Sequence, residues 1–67
     1  MNTAMVNNVI NSIPSGTRFE FTDYFSTAPG SNKSNGKWFK QNVLNGNISN
    51  VRHVSLTSDR HDYYEKI

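Results

Sequence analysis

Six side chains in this sequence have the chemistry and spacing to meet a ligand: Lys33, Lys37, Lys40, Gln41, Arg52 and Arg60. Five are cations suited to phosphate oxygens, and the sixth is an amide that can pair with the edge of an adenine. Lys37, Gln41 and Asn45 recur at i, i+4 and i+8, so a helix through them presents all three on one side, with Lys40 flanking. The chain carries a net charge of only +2, but the charge is unevenly spread. Over residues 33–60, the five cations named above face Asp59 alone, a local balance of +4, while the segments before and after are each −1. That asymmetry is expected of a surface that faces phosphate. The competing reading is an ordinary amphipathic helix whose polar side is simply solvated.

Other chemistries find little support. His53 and His61 stand eight residues apart with Asp59 and Asp62 nearby, but they lack an HxxxH spacing or a third strong ligand. No metal site is expected, and either histidine suits a position near phosphate or solvent. Ser15, Ser34 and Ser55 have no nucleophile-elbow context, and no Gly-rich loop ends in Gly-Lys-Ser or Gly-Lys-Thr. Hence no catalytic residue and no cofactor is expected. Trp38, Tyr63 and Tyr64 could stack on unpaired bases, but Trp38 borders an apolar stripe and reads better as core. Tyr63 and Tyr64 must face opposite sides of a strand, one toward the core and one away.

The elements that would position these groups follow from periodicity. Asn2 or Thr3 can cap a first helix with Met5, Val6, Val9, Ile10 and Ile13 on its buried face, ended by Pro14-Ser15-Gly16. Thr17 to Phe21 alternates strictly, which predicts a short strand with Phe19 and Phe21 inward and Arg18 and Glu20 outward. Thr22 offers a cap to a short helix over Asp23–Ser26, with Tyr24 and Phe25 packing on the first helix. Residues 27–36 read as a loop rich in Gly, Ser and Asn, after which Ser34 or Asn35 caps the central helix. That helix turns Phe39 and Val43 inward, with Trp38 and Asn42 bordering them, and stops at Asn45-Gly46. Ile48 and Val51 return to the core. Residues 51–56 and 61–66 are β-prone around the turn 57–60, which predicts a hairpin with Arg60 at its tip.

This order of elements resembles a winged helix, the helix-turn-helix variant in which a third helix enters the major groove and a β-hairpin wing touches the backbone. The stretch Ile13-Pro14-Ser15-Gly16-Thr17-Arg18-Phe19-Glu20-Phe21-Thr22-Asp23-Tyr24-Phe25 resembles the LPxGTxFxLxDLF opening of a small uncharacterised winged-helix family of bacteria and their phages. Gly36-Lys37-Trp38-Phe39-Lys40-Gln41-Asn42-Val43 with Asn50-Val51 is similar to that family's GRxFxxxV…NV continuation, and Tyr64-Glu65-Lys66 to its closing YxK. The resemblance implies an α+β fold of the winged helix-turn-helix type: helix, short strand, short helix, helix, β-hairpin wing. Two departures stand out. The loop before the central helix is about nine residues, against three or four in a tight helix-turn-helix, and Lys37 stands where the family tends to have Arg. The family has no established function, so the resemblance implies a fold more than an activity.

Size and composition bound the rest. With 67 residues, 34% of them hydrophobic, the expectation is one domain (1–67) with a small core built on one Trp, three Tyr and four Phe. A homodimer or a bound partner could add stability to so small a core. No cysteine, no apolar run of about 20 residues and no signal-like N-terminus together predict a cytoplasmic protein without a membrane partner. The preferred functional expectation is a regulatory or accessory protein that binds double-stranded DNA and has no enzymatic activity. Lys37, Lys40 and Gln41 would meet the groove, and Lys33, Arg52 and Arg60 would neutralise phosphates. The alternative is a protein-interaction module, such as a phage-encoded inhibitor of a host protein.

Overall fold

Of the two caps the sequence offers, Asn2 and Thr3, the structure uses Asn2. Its backbone is extended (φ −134°) and its side-chain oxygen accepts the Met5 N–H at 2.8 Å, the geometry of a helix N-cap. The computed structural model describes residues 1–25, 32–54 and 62–67, with the side chains of Asn32 and Lys33 excepted. Residues 27–31 of the expected loop 27–36, the turn 57–60 with Arg60, and residues 55, 56 and 61 of the expected strands lie outside the described residues.

Helix α1 spans Thr3–Asn11 and buries Val6 and Ile10 completely. With Ile13 just beyond it, these define a line at i, i+4 and i+7. Met5, expected inside, is 46% exposed, because at 100° per residue it lies about a quarter turn from that line. Pro14 has no N–H and disfavours helical backbone at Ile13, so the helix closes with Ser12 and Ile13 bonding back to Val9 and Ile10. Gly16 then takes φ +87°, where a side chain would be strained, and the chain reverses into the sheet.

Strand β1 spans Arg18–Glu20, and Phe21 already belongs to helix α2, Phe21–Tyr24. The cap is therefore Glu20 rather than the expected Thr22. The Glu20 N–H donates to the Asp23 carboxylate at 2.8 Å, so Asp23 satisfies the entry to its own helix. Phe25 stacks on Phe21 with ring centroids 5.1 Å apart and reaches Phe39 at 5.3 Å. Tyr24 sets its edge against Phe19 at 5.3 Å. The ring partners of Tyr24 and Phe25 thus come from β1, α2 and the central helix.

That central helix, α3, spans Asn32–Leu44 and begins four residues before Gly36, the expected boundary. Propensity argues against Asn, Ser and Gly in its first turns, but local preference is a weak prior against packing of the helix on the rest of the core. Its end follows the sequence closely. Gly46 at φ +80° donates to Val43 O, and Asn47 N–H donates to Asn42 O at 2.9 Å, a Schellman closure.

Strand β2 (Val51–Val54) pairs antiparallel with β3 (Tyr63–Lys66), and β1 pairs antiparallel with the other edge of β3. The sheet order is β1-β3-β2, so the last strand lies in the middle. Phe19, Tyr64 and His53 form one cross-strand row, while Arg18, Glu65 and Arg52 form the next and face the opposite side. Phe39 on α3 stands 4.7 Å from Tyr64, which places the helix on the first of these faces. The connector between α3 and β2 is held to α1 by asparagines. Asn7 Oδ1 accepts the Ser49 N–H at 2.9 Å while its amide donates to Thr3 O at 2.9 Å. Asn50 adopts φ +62°, a conformation asparagine tolerates.

Lys66 is buried on the core face. Its Nζ donates to Ile13 O at 2.9 Å, its N–H to Thr17 O, and its carbonyl accepts from Gly16. A buried ammonium needs such partners, and here they tie the central strand to the turn after α1.

Two substitutions test this arrangement. Phe39→Ala should cost about 3–5 kcal/mol, close to the whole stability of so small a domain. Gly36→Ala should raise stability by about 0.5–1 kcal/mol, since Gly is costly within a helix and, among the described residues, an added Cβ would meet Phe21 Cδ2 at 3.8 Å, an ordinary contact. Urea melts of both variants report the result. A melt insensitive to Phe39→Ala, or a loss of stability in Gly36→Ala, contradicts the packing of α3.

Candidate nucleic-acid interface

Helix α3 sorts its side chains by side. Phe39 and Val43 are buried against the sheet and α2, and this fixes the rotation of the helix. Lys37 and Gln41, one turn apart, are consequently exposed on the other side. Lys37 makes no ion pair among the described residues. The helix continues to Leu44, which is 62% exposed.

Lys40 sits at the junction with the hairpin. Its Nζ lies 3.1 Å from Asp62 Oδ1, and His53 Nε2 lies 2.8 Å from the same oxygen. An ionised carboxylate only accepts, so the histidine donates here through a proton on Nε2. Partial burial of Asp62 works to raise its pKa, but the bonds from His53 and Lys40 and their charges outweigh it and hold the carboxyl below its ordinary value. The His53 ring also meets Tyr64 edge-on at 5.5 Å. Burial, and then the charge of Asp62, push the Tyr64 phenol well above the usual range.

Arg52 lies on the outward row of the sheet, the side away from α3. Its Nη2 and Nε reach Glu65 Oε1 at 2.6 and 2.7 Å. Arg18 approaches the second oxygen of the same carboxylate at 3.7 Å from the other edge. The bond from Arg52 is the main cause that holds the Glu65 carboxyl below its ordinary value.

The six predicted residues are therefore only partly gathered. Lys37 and Gln41 share one exposed helical face with Lys40 at its margin, and Arg52 stands on the far side of the sheet. Arg60 and the side chain of Lys33 lie outside the described residues.

Residues 4–66 match a family described as a domain of unknown function, DUF1413. The chain belongs to DUF1413. No curated protein and no solved structure matches it.

In this DUF1413 chain, sequence reasoning missed Asp62 as the partner of Lys40 and His53. The available signal was its place just before a strand whose register sets Tyr64 opposite His53. The strand alternation that buries Tyr64 also buries Lys66. Among the described residues, no three His, Cys, Asp or Glu side chains gather as metal ligands, and no helix is long and apolar enough to cross a membrane.

The lowered pKa of Asp62 has a defined sign in stability. A carboxyl whose folded pKa is depressed contributes stability that is fully present above its unfolded pKa, about 3.9, and lost as pH falls through the folded value. The stability gap between the wild type and Asp62→Asn should therefore be open at neutral pH and close below about pH 4. Urea midpoints measured across pH 2.5–7 test this, and a gap independent of pH contradicts it.

Proposed function

We propose that this DUF1413 protein is a small winged helix-turn-helix protein that binds double-stranded DNA through the outward side of α3. It acts in the cytoplasm as a regulatory or accessory factor without enzymatic activity. The observation that carries this reading is the two-sidedness of α3, with Phe39 and Val43 locked into the core while Lys37 and Gln41 face outward one turn apart. The element order and the sheet order β1-β3-β2 are compatible with a winged helix, in which this helix is the one presented to the major groove.

Lys37 then supplies a phosphate contact or a single donor to guanine, and Gln41 can offer paired donor and acceptor groups to an adenine edge. Lys33, in the first turn of α3, and Arg60, which the sequence places at the tip of the hairpin, add phosphate contacts. Lys40 and Arg52 are engaged by Asp62 and Glu65, so they add less than a count of charges implies.

A second reading rests on Leu44, which is 62% exposed at the end of the same helix beside Gln41. An exposed leucine next to polar groups suits a protein partner, so the same surface could serve to bind and block a host protein.

Salt dependence of duplex binding tests the first reading. With Lys33, Lys37 and Arg60 on phosphates, the slope of log K against log salt should be about −3, and Lys37→Ala should reduce it by about one unit. Gln41→Ala should change sequence preference and leave the slope unaltered, because an amide releases no counterions. Fluorescence anisotropy with a mixed-sequence duplex at 50 mM salt and up to tens of micromolar protein is the measurement. Absence of binding there overturns the DNA reading. A single stoichiometric protein recovered from nuclease-treated lysate then favours the second.

A further inference from the structure

Lys40 occupies the margin of the α3 face that carries Lys37 and Gln41, yet its ammonium points to the hairpin and lies 3.1 Å from Asp62 Oδ1. The same oxygen receives His53 Nε2 at 2.8 Å, so one anionic oxygen gathers two nitrogen donors from two elements. A phosphate oxygen accepts hydrogen bonds in the same way. Lys40 and Asp62 each keep about a third of their side-chain surface in solvent, so the pair is open to a competing anion. Lys40 lies one turn from Lys37, within reach of the same stretch of ligand backbone.

We propose that Asp62 is an internal competitor for phosphate, which withholds Lys40 from a polyanionic ligand and so sets the affinity of the α3 face. The inference rests on the DNA reading for its ligand, but the withholding of Lys40 is a property of the protein itself. In the closed arrangement, Lys40 and His53 are both satisfied by the carboxylate. Without the charge of Asp62, the Lys40 ammonium has no anionic partner among the described residues and is available to a phosphate. The phosphate could come from a duplex backbone or from a free ion, and the experiment separates the two.

Asp62→Asn keeps the shape of the side chain and can still accept from His53 while removing the negative charge. Asp62→Ser removes the charge with a smaller group and serves if the first variant melts below the assay temperature. Two titrations are made on folded protein: a mixed-sequence duplex followed by anisotropy, and inorganic phosphate followed by the Lys40 Cε–H NMR signals. The charge-removing variant should bind duplex about three- to tenfold more tightly at 50 mM salt, with a slope steeper by about one unit. Adding Lys40→Ala to that variant should abolish the gain. The Lys40 signals should respond to millimolar phosphate in the variant and not in the wild type.

If the Lys40 signals respond in the variant but neither protein binds duplex, Asp62 does withhold Lys40 and the DNA reading alone fails. If neutralising Asp62 leaves both the duplex affinity and the Lys40 response as in the wild type, the proposal is overturned. A gain in affinity that persists when Lys40 is removed overturns it too, because the effect would then be general electrostatics rather than release of Lys40.

Discussion

The ring of Phe39 is the contact on which the rest of this structure depends. It lies 5.2 Å from Phe21, 5.3 Å from Phe25 and 4.7 Å from Tyr64, and so joins α3 to α2 and to the central strand. A chain with so low a hydrophobic fraction has few ways to exclude water, and large aromatic side chains bury the most surface per residue. The same contact sets the rotation of α3 about its axis. Lys37 and Gln41 face outward because Phe39 and Val43 cannot.

Around this centre, the fold is closed by polar groups whose partners lie far away in sequence. Lys66 serves the turn after α1 through its N–H, its carbonyl and its Nζ at once. Asn7 accepts from Ser49 and holds the entry to β2 against α1. These bonds explain how an α1 built partly from asparagines, which are poor helix formers, can be held in place.

The charged residues are distributed differently from what a count of Lys and Arg conveys. Glu65 lies between Arg18 and Arg52 across three strands, Asp62 holds Lys40, and Lys66 is internal. Lys37 makes no ion pair among the described residues and lies one turn from Gln41. Local neutralisation of this kind limits nonspecific attraction to polyanions.

The sequence by itself determined the features that depend on neighbours within a turn or two. Those are a first cap at Asn2 or Thr3, the line Val6–Ile10–Ile13, the inward Phe39 and Val43, the stop at Gly46, and the β-prone runs that pair as β2 and β3. Each follows from a short-range period or from the φ freedom of one residue, and both are written locally. Tertiary structure alone decided that α3 starts at Asn32, that Glu20 caps α2, and that β1 joins the free edge of β3. It also decided which cations are engaged: Lys40 meets Asp62 and Arg52 meets Glu65 only after the hairpin register has been chosen. Ion pairs between distant residues depend on that register, and a one-residue slip would turn every side chain of β3 to the other face. The outward face of α3 was therefore legible from residue spacing, whereas the pairing of Lys40 with Asp62 was not.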